Sequence, residues 1–289
     1  MDKPLFSDAA RAAAFAESLE TISLGKPLHY FQTTRSTNDL ALEAARSGAA
    51  HGTVFIADQQ TGGRGRSGRS WHSAPNRGLL LSVIVRPREI APADLGWIPL
   101  LAGLSVARAV QSCCGLAATI KWPNDVVIPA DHAPGWRKLG GILCESSLTP
   151  GAPEQSFAVI GIGLNVNHTL EDFPPQPKAP PTSVLLETKK HGDRRAILAE
   201  LLRELEDTLL VLEQGGGESV RSRVLEALQS WWTVNALLTI NPQPGDISNE
   251  RLEGVFSGLD EYGRLRLHVL PGSGERTFAD AEILGMRKL

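Results

Sequence analysis

The sequence predicts an α+β protein, a mixed β-sheet flanked by helices with a small all-β domain at the C-terminal end. Three observations carry this. Short apolar, β-branched runs bounded by Gly, Pro or Asn occur at 54–57, 79–85, 121–128, 139–146 and 157–166, as strands of a covered sheet should. Helical stretches lie around them, the longest apolar one at 95–114. From about residue 234 the pattern changes to LLTI, LEGVFSGL, RLRLHVL and RTF, short strands separated by Gly or Pro turns, which suits a small barrel or sandwich.

Taken in order, 8–20 is alanine-rich and helical, with Asp8 as its cap, and Gly25 and Pro27 break the chain after it. A helix follows at 38–46, with Ser36, Thr37 or Asn38 available as cap and Gly48 as terminator. The strand at 54–57 delivers the chain into an arginine-rich loop, and LLLSVIV at 79–85 leaves it. Gly115 ends the helix 95–114, and 129–136 is a loop between two strands. Residues 171–181 (EDFPPQPKAPP) are too proline-rich for regular structure. Two amphipathic helices, 194–212 and 218–232, are separated by Gly215, Gly216 and Gly217.

The 289 residues suffice for one large domain with a small one, and the net charge of −3 argues against a generally nucleic-acid-binding surface. Cys113 and Cys114 are adjacent and Cys144 stands alone, which suits neither an ordinary disulfide nor a zinc site; reduced, mostly buried thiols in a cytoplasmic protein are expected. The first twenty residues lack the basic-then-apolar order of a signal peptide, and no apolar run approaches about 18 residues.

Three segments carry chemistry. Residues 59–71, QQTGGRGRSGRSW, place Arg64, Arg66 and Arg69 on a glycine-rich turn after a strand. The arginines repel one another unless an anion sits among them, so the loop is expected to be loose when empty. The stretch matches neither common nucleotide-binding glycine motif, but guanidinium groups bind carboxylate or phosphate bidentately. In KWPNDV (121–126), Pro123 interrupts the strand. Asp125, with Asn124 and Lys121, could hold Mg2+, or the Asn-Asp pair could simply form a turn. In RKLGGILCES (137–146), Lys138 precedes a buried strand, either aimed inward or protecting a sheet edge.

In succession, Ser36-Thr37-Asn38, Gln60 with GRGRSGRSW, KWPNDV, KLGGILCE and GIGLNVN resemble the bacterial biotin–protein ligase family. The resemblance runs from about residue 30 to the end. It implies a class II synthetase-like catalytic domain of the biotin–lipoate ligase fold at 30–232 and an SH3-like barrel at 233–289, with 1–29 as a helical extension. It further implies that biotin and ATP form biotinyl-5′-AMP, whose acyl group passes to a lysine of a carboxylase's biotin carboxyl carrier domain. By motif, Ser36, Thr37, Asn38 and Gln60 line the biotin ring, while Arg64, Gly65, Arg66 and Lys138 take its carboxylate and the phosphate. Arg66 and Lys138 are the catalytic pair. Lys121, Asn124, Asp125 and Asn165 fall at nucleotide and Mg2+, with Asp125 as transient ligand to Mg2+ entering with ATP and no tightly bound metal.

Many relatives carry an N-terminal helix-turn-helix. About 30 residues precede the first motif here, so a ligase without repressor function, DNA partner or membrane association is expected, with a homodimer compatible. Lipoate–protein ligase is the alternative enzyme, and a nucleic-acid-binding regulator the alternative of another class. No residue is assigned to stacking on adenine.

Overall fold

The computed structural model describes residues 3–86, 90–131, 134–149, 151–152, 155–175, 177, 179–229, 237–242, 251–272 and 274–287. Seven strands form the first sheet: β1 (Leu28–Thr34), β2 (Val54–Gln60), β3 (Gly78–Val85), β4 (Thr119–Lys121), β5 (Asp125–Pro129), β6 (Trp136–Ser147) and β7 (Phe157–Asn165). Their order is β1-β2-β3-β7-β6-β5-β4. Only the β1–β2 pair is parallel, so the sheet is mixed as expected.

The helices are α1 (Ala9–Glu17), α2 (Thr37–Arg46), α3 (Ile98–Cys114), α4 (Val184–Thr188) and α5 (Arg194–Gln229). Strand alternation decides which face each covers. Leu79, Leu81, Val83 and Val85 of β3 join the main core with α3 and α5, whereas Ile84, with Phe55 and Val159, packs against Ala41 and Ala45 of α2. Caps follow the sequence: Asp8 accepts from Arg11 N at 2.8 Å, Ser36 caps α2, and Gly115 closes α3 in the left-handed region at φ 64°. The span α5 comprises two helices that break, as expected, at Gly216, whose backbone (φ 65°, ψ −171°) is not helical. α3 with its preceding turn is long and apolar enough to cross a membrane, yet 67% of that stretch is buried, as in a core helix.

Two expectations need correction. The strand read at 121–128 is a hairpin: β4 and β5 are antiparallel with Lys121 opposite Asp125, because the chain reverses at Trp122-Pro123-Asn124, where the Trp122–Pro123 bond is cis. The cysteines are free but not mostly buried, for Cys113 is exposed and Cys114 and Cys144 are half-buried.

The second sheet comprises β8 (Leu237–Asn241), β9 (Leu252–Leu259), β10 (Leu265–Leu270), β11 (Glu275–Phe278) and β12 (Glu282–Arg287), all antiparallel in the order β11-β10-β9-β8-β12. Among the described residues it forms a five-stranded sheet with β11 and β12 as its end strands. Phe256, Leu259, Leu265 and Leu267 belong to the same apolar cluster as α3 and α5. Trp97 Nε1 donates to Glu261 O and Trp122 Nε1 to Gly263 O, both at 3.0 Å, which pins the β9–β10 turn to the first sheet. The expected boundary near Trp232, and the packing of Trp231 and Trp232 there, lie outside the described residues.

Candidate functional site

The start of α2, the end of β2, the arginine loop, the β4–β5 turn and the adjacent faces of β6 and β7 enclose a cleft of about 930 Å3, counting its open mouth. Its walls carry Ser36, Thr37, Asn38, Gln60, Arg64, Gly65, Arg66, Lys121, Asn124, Asp125 and Lys138. Residues from four separate stretches of sequence thus meet at one place. Asn165 does not line the cleft. It is buried, donates Nδ2 to Thr182 O at 3.0 Å, and leaves Oδ1 without a partner among the described residues.

At the α2 end the groups are neutral and interlocked. Gln60 Oε1 accepts from Thr37 N at 2.7 Å and lies 3.1 Å from Thr37 Oγ1. Ser82 Oγ, fully buried, sits 2.8 Å from Thr37 Oγ1 and 2.5 Å from Asn38 Oδ1. Asn38 Nδ2 donates to Glu145 Oε2 at 2.9 Å and to Leu143 O at 3.3 Å. Both hydrogens of that amide are therefore committed to the protein, so Asn38 shapes the pocket more than it offers a donor. Ser82 and Glu145 escaped the sequence reading, the first as one polar residue inside an apolar strand and the second as an acid among quoted but unweighed letters.

At the other end the charges concentrate. Lys138 Nζ lies 2.6 Å from Asp125 Oδ1, and Lys121 Nζ lies 3.2 Å from Asp125 Oδ2. Burial alone would raise the Asp125 carboxyl, but the two ammonium groups outweigh it and hold it well below the usual carboxylate range. Lys121 is 5% exposed and packs over the Trp136 ring, and burial lowers its ammonium from the ordinary lysine value. Lys138 is more accessible and approaches the Trp71 ring, 5.6 Å from its centroid. The Asn124 amide is also engaged, Nδ2 donating to Ile142 O at 2.7 Å and Oδ1 accepting from Arg66 Nη1 at 3.1 Å. With both Asp125 oxygens on lysines and Asn124 Oδ1 on an arginine, these residues do not fit a protein-held Mg2+, which needs free hard oxygens.

The arginine loop is itself a small hairpin. Gly65 N donates to Arg69 O at 2.7 Å and Trp71 N to Gly63 O at 2.9 Å around a turn at Arg66–Gly68. The expected repulsion is relieved by the protein's own carboxylates. Arg64 forks onto Glu145 at 2.7 and 3.0 Å and reaches Asp39 at 2.8 Å. Arg66 pairs with Asp280, in the turn between β11 and β12, and Arg69 with Glu282 at the start of β12, at 2.5 Å. Trp71 lines the cleft against Gly163 and Gly141, with Nε1 buried and unpartnered among the described residues. Built at Gly163, a Cβ would stand 2.5 Å from that ring, and one at Gly161 would overlap Asn38. The glycines of GIGLN leave room for the cleft.

A neutral pocket joined to a cationic one, on a mixed sheet beside a small antiparallel sheet, suits a ligand that carries both an uncharged group and an anion. Known proteins narrow this. Residues 30–167 match the model of the biotin/lipoate A/B protein ligase family. The chain is 35% identical over 92% of its length to the bifunctional ligase/repressor BirA of Bacillus spizizenii, covering 76% of that protein. It is 32% identical over 82% of its length to the biotin--[acetyl-CoA-carboxylase] ligase of Mycobacterium tuberculosis, covering 81% of it. Biotin protein ligase from Aquifex aeolicus, solved with biotin and ATP, superposes with a TM-score of 0.70 at 25% identity, over 91% of this chain and all of that one. This chain belongs to the biotin/lipoate A/B protein ligase family.

Proposed function

We infer that the chain is an ATP-dependent biotin–protein ligase, acting on a lysine of a carboxylase's carrier domain. The observation that carries this is the union in one cleft of the uncharged Thr37–Asn38–Gln60–Ser82 network with Arg64, Arg66 and Lys138. Neutral donors and acceptors suit a ureido ring, and the cations suit a carboxylate brought against a triphosphate. A biotin carboxylate oxygen attacks the α-phosphorus of ATP, which arrives as its magnesium complex, and pyrophosphate leaves. Lys138, at the cleft wall, and Arg66, on the loop, offset the repulsion between the two anions and stabilise the charge gathering at phosphorus. The carrier lysine's neutral amine then attacks the acyl carbon, AMP departs, and the amine's surplus proton is lost to solvent. The arginine hairpin covers the mixed anhydride meanwhile and excludes water. Three free thiols support a cytoplasmic setting.

Mass spectrometry of a carboxylase carrier domain incubated with the protein, ATP and either biotin or lipoate tests this. A mass gain of one biotinyl group, absent with lipoate, is expected. Gain with lipoate alone would establish the sister activity instead.

A further inference from the structure

We propose that Glu145 is a positioning residue that couples the acid-binding pocket at the start of α2 to the arginine hairpin. This rests on the ligase reading above and concerns how filling one part of the site orders another.

The Glu145 carboxylate touches both. Its Oε1 accepts from Arg64 Nη1 at 3.0 Å, and its Oε2 accepts from Arg64 Nη2 at 2.7 Å and from Asn38 Nδ2 at 2.9 Å. A bidentate arginine–carboxylate pair fixes direction as well as distance. Beyond Asn38 the chain of contacts continues through Ser82 to Thr37 and Gln60. Any ligand that shifts Asn38 or its neighbours therefore moves the carboxylate that aims Arg64. Asp39, the other acid on Arg64, sits at the same helix start, where its backbone N–H bonds Ser36 Oγ; among the described residues its carboxylate pairs with Arg64 and not with the buried network. It anchors Arg64 without relaying the pocket's state. The strand geometry makes the relay compact: Leu143 and Glu145, two positions apart, share one face of β6, and Leu143 pairs with Gly161 of β7, whose missing side chain makes space for Asn38.

Glu145→Gln is the decisive variant. One amide oxygen can still accept from Asn38, but the amide NH2 presents donors where Arg64 needs an acceptor, so the fork is broken while the volume stays. Limited trypsin digestion at the hairpin arginines reads the coupling, with biotin binding measured calorimetrically alongside. In the parent protein, biotin without ATP is expected to slow hairpin cleavage about tenfold. In Glu145→Gln, biotin still binds, but that protection falls to under threefold. Asp39→Asn, which loses an anchor but not the relay, is expected to keep the biotin-dependent ratio. Ser82→Ala, which interrupts the relay without touching Arg64, is expected to lose it. Undiminished protection in Glu145→Gln, or equal loss in Asp39→Asn, overturns the proposal. A parent protein that binds no biotin overturns the ligase reading instead, so the two failures are told apart. Should Glu145→Gln not fold, the Ser82→Ala and Asp39→Asn pair decides the matter.

Discussion

Lys138 and Lys121 share one carboxylate, and the difference in their burial separates their roles. Lys138 can swing from Asp125 to a ligand, while Lys121 is locked behind it. Lys138→Ala is expected to abolish biotin-dependent exchange of pyrophosphate into ATP, a loss of 100-fold or more on the order of that for one electrostatic donor. Exchange within a few-fold of the parent would remove Lys138 from the chemistry. His168 offers a second test. It is fully buried, its Nε2 is 2.9 Å from Ser73 Oγ, and burial lowers its imidazole from 6.5 to about 4. Below pH 6.5 the unfolded chain takes up a proton that the folded chain refuses. His168's contribution to stability is therefore lost as the pH drops from 6.5 towards 4. Urea midpoints across this range are expected to show that slope, and His168→Gln to lack part of it. At this scale the cationic residues were legible because their types announce their chemistry. Trp71 was not, since a single tryptophan after a loop has no periodicity to interpret.

Among the elements, β6 and β7 do most to shape the cleft, through side chains they lack. Gly163→Ala is expected to push the Trp71 ring aside and weaken biotin binding by about tenfold or more, overpacking costs being roughly 1–3 kcal/mol. Calorimetry against the parent measures it, and unchanged affinity would mean the ring yields freely. Most strands were readable from apolar runs and turn residues, as were the caps of α1, α2 and α3, but β1 was not among them. The β4–β5 hairpin was read as one strand interrupted at Pro123, with a turn at the Asn-Asp pair as one alternative, and the pairing of Lys121 with Asp125 shows that the chain reverses there. The arginine hairpin's order was invisible for a related reason: Asp280 and Glu282 lie more than 200 positions away in sequence.

At the scale of the molecule, the second sheet is part of the site. Two indole hydrogen bonds hold its β9–β10 turn, and its carboxylates reach the hairpin. Trp122→Phe keeps most of the packing but strands Gly263 O, which costs about 1–3 kcal/mol for a buried acceptor left unsatisfied. A lower denaturation midpoint and faster hairpin proteolysis are expected together; proteolysis unchanged at lowered stability would show the sheet to be a passive neighbour. The pairs Arg66–Asp280 and Arg69–Glu282 remain partly open to solvent, and such pairs are worth about 0–1 kcal/mol each. A fastening that weak yields to a polyanion, and to ionic strength as well. Potassium chloride should therefore loosen the vacant enzyme's lid well before it touches the core, and lose that power once a bound adenylate supplies the negative charge from within.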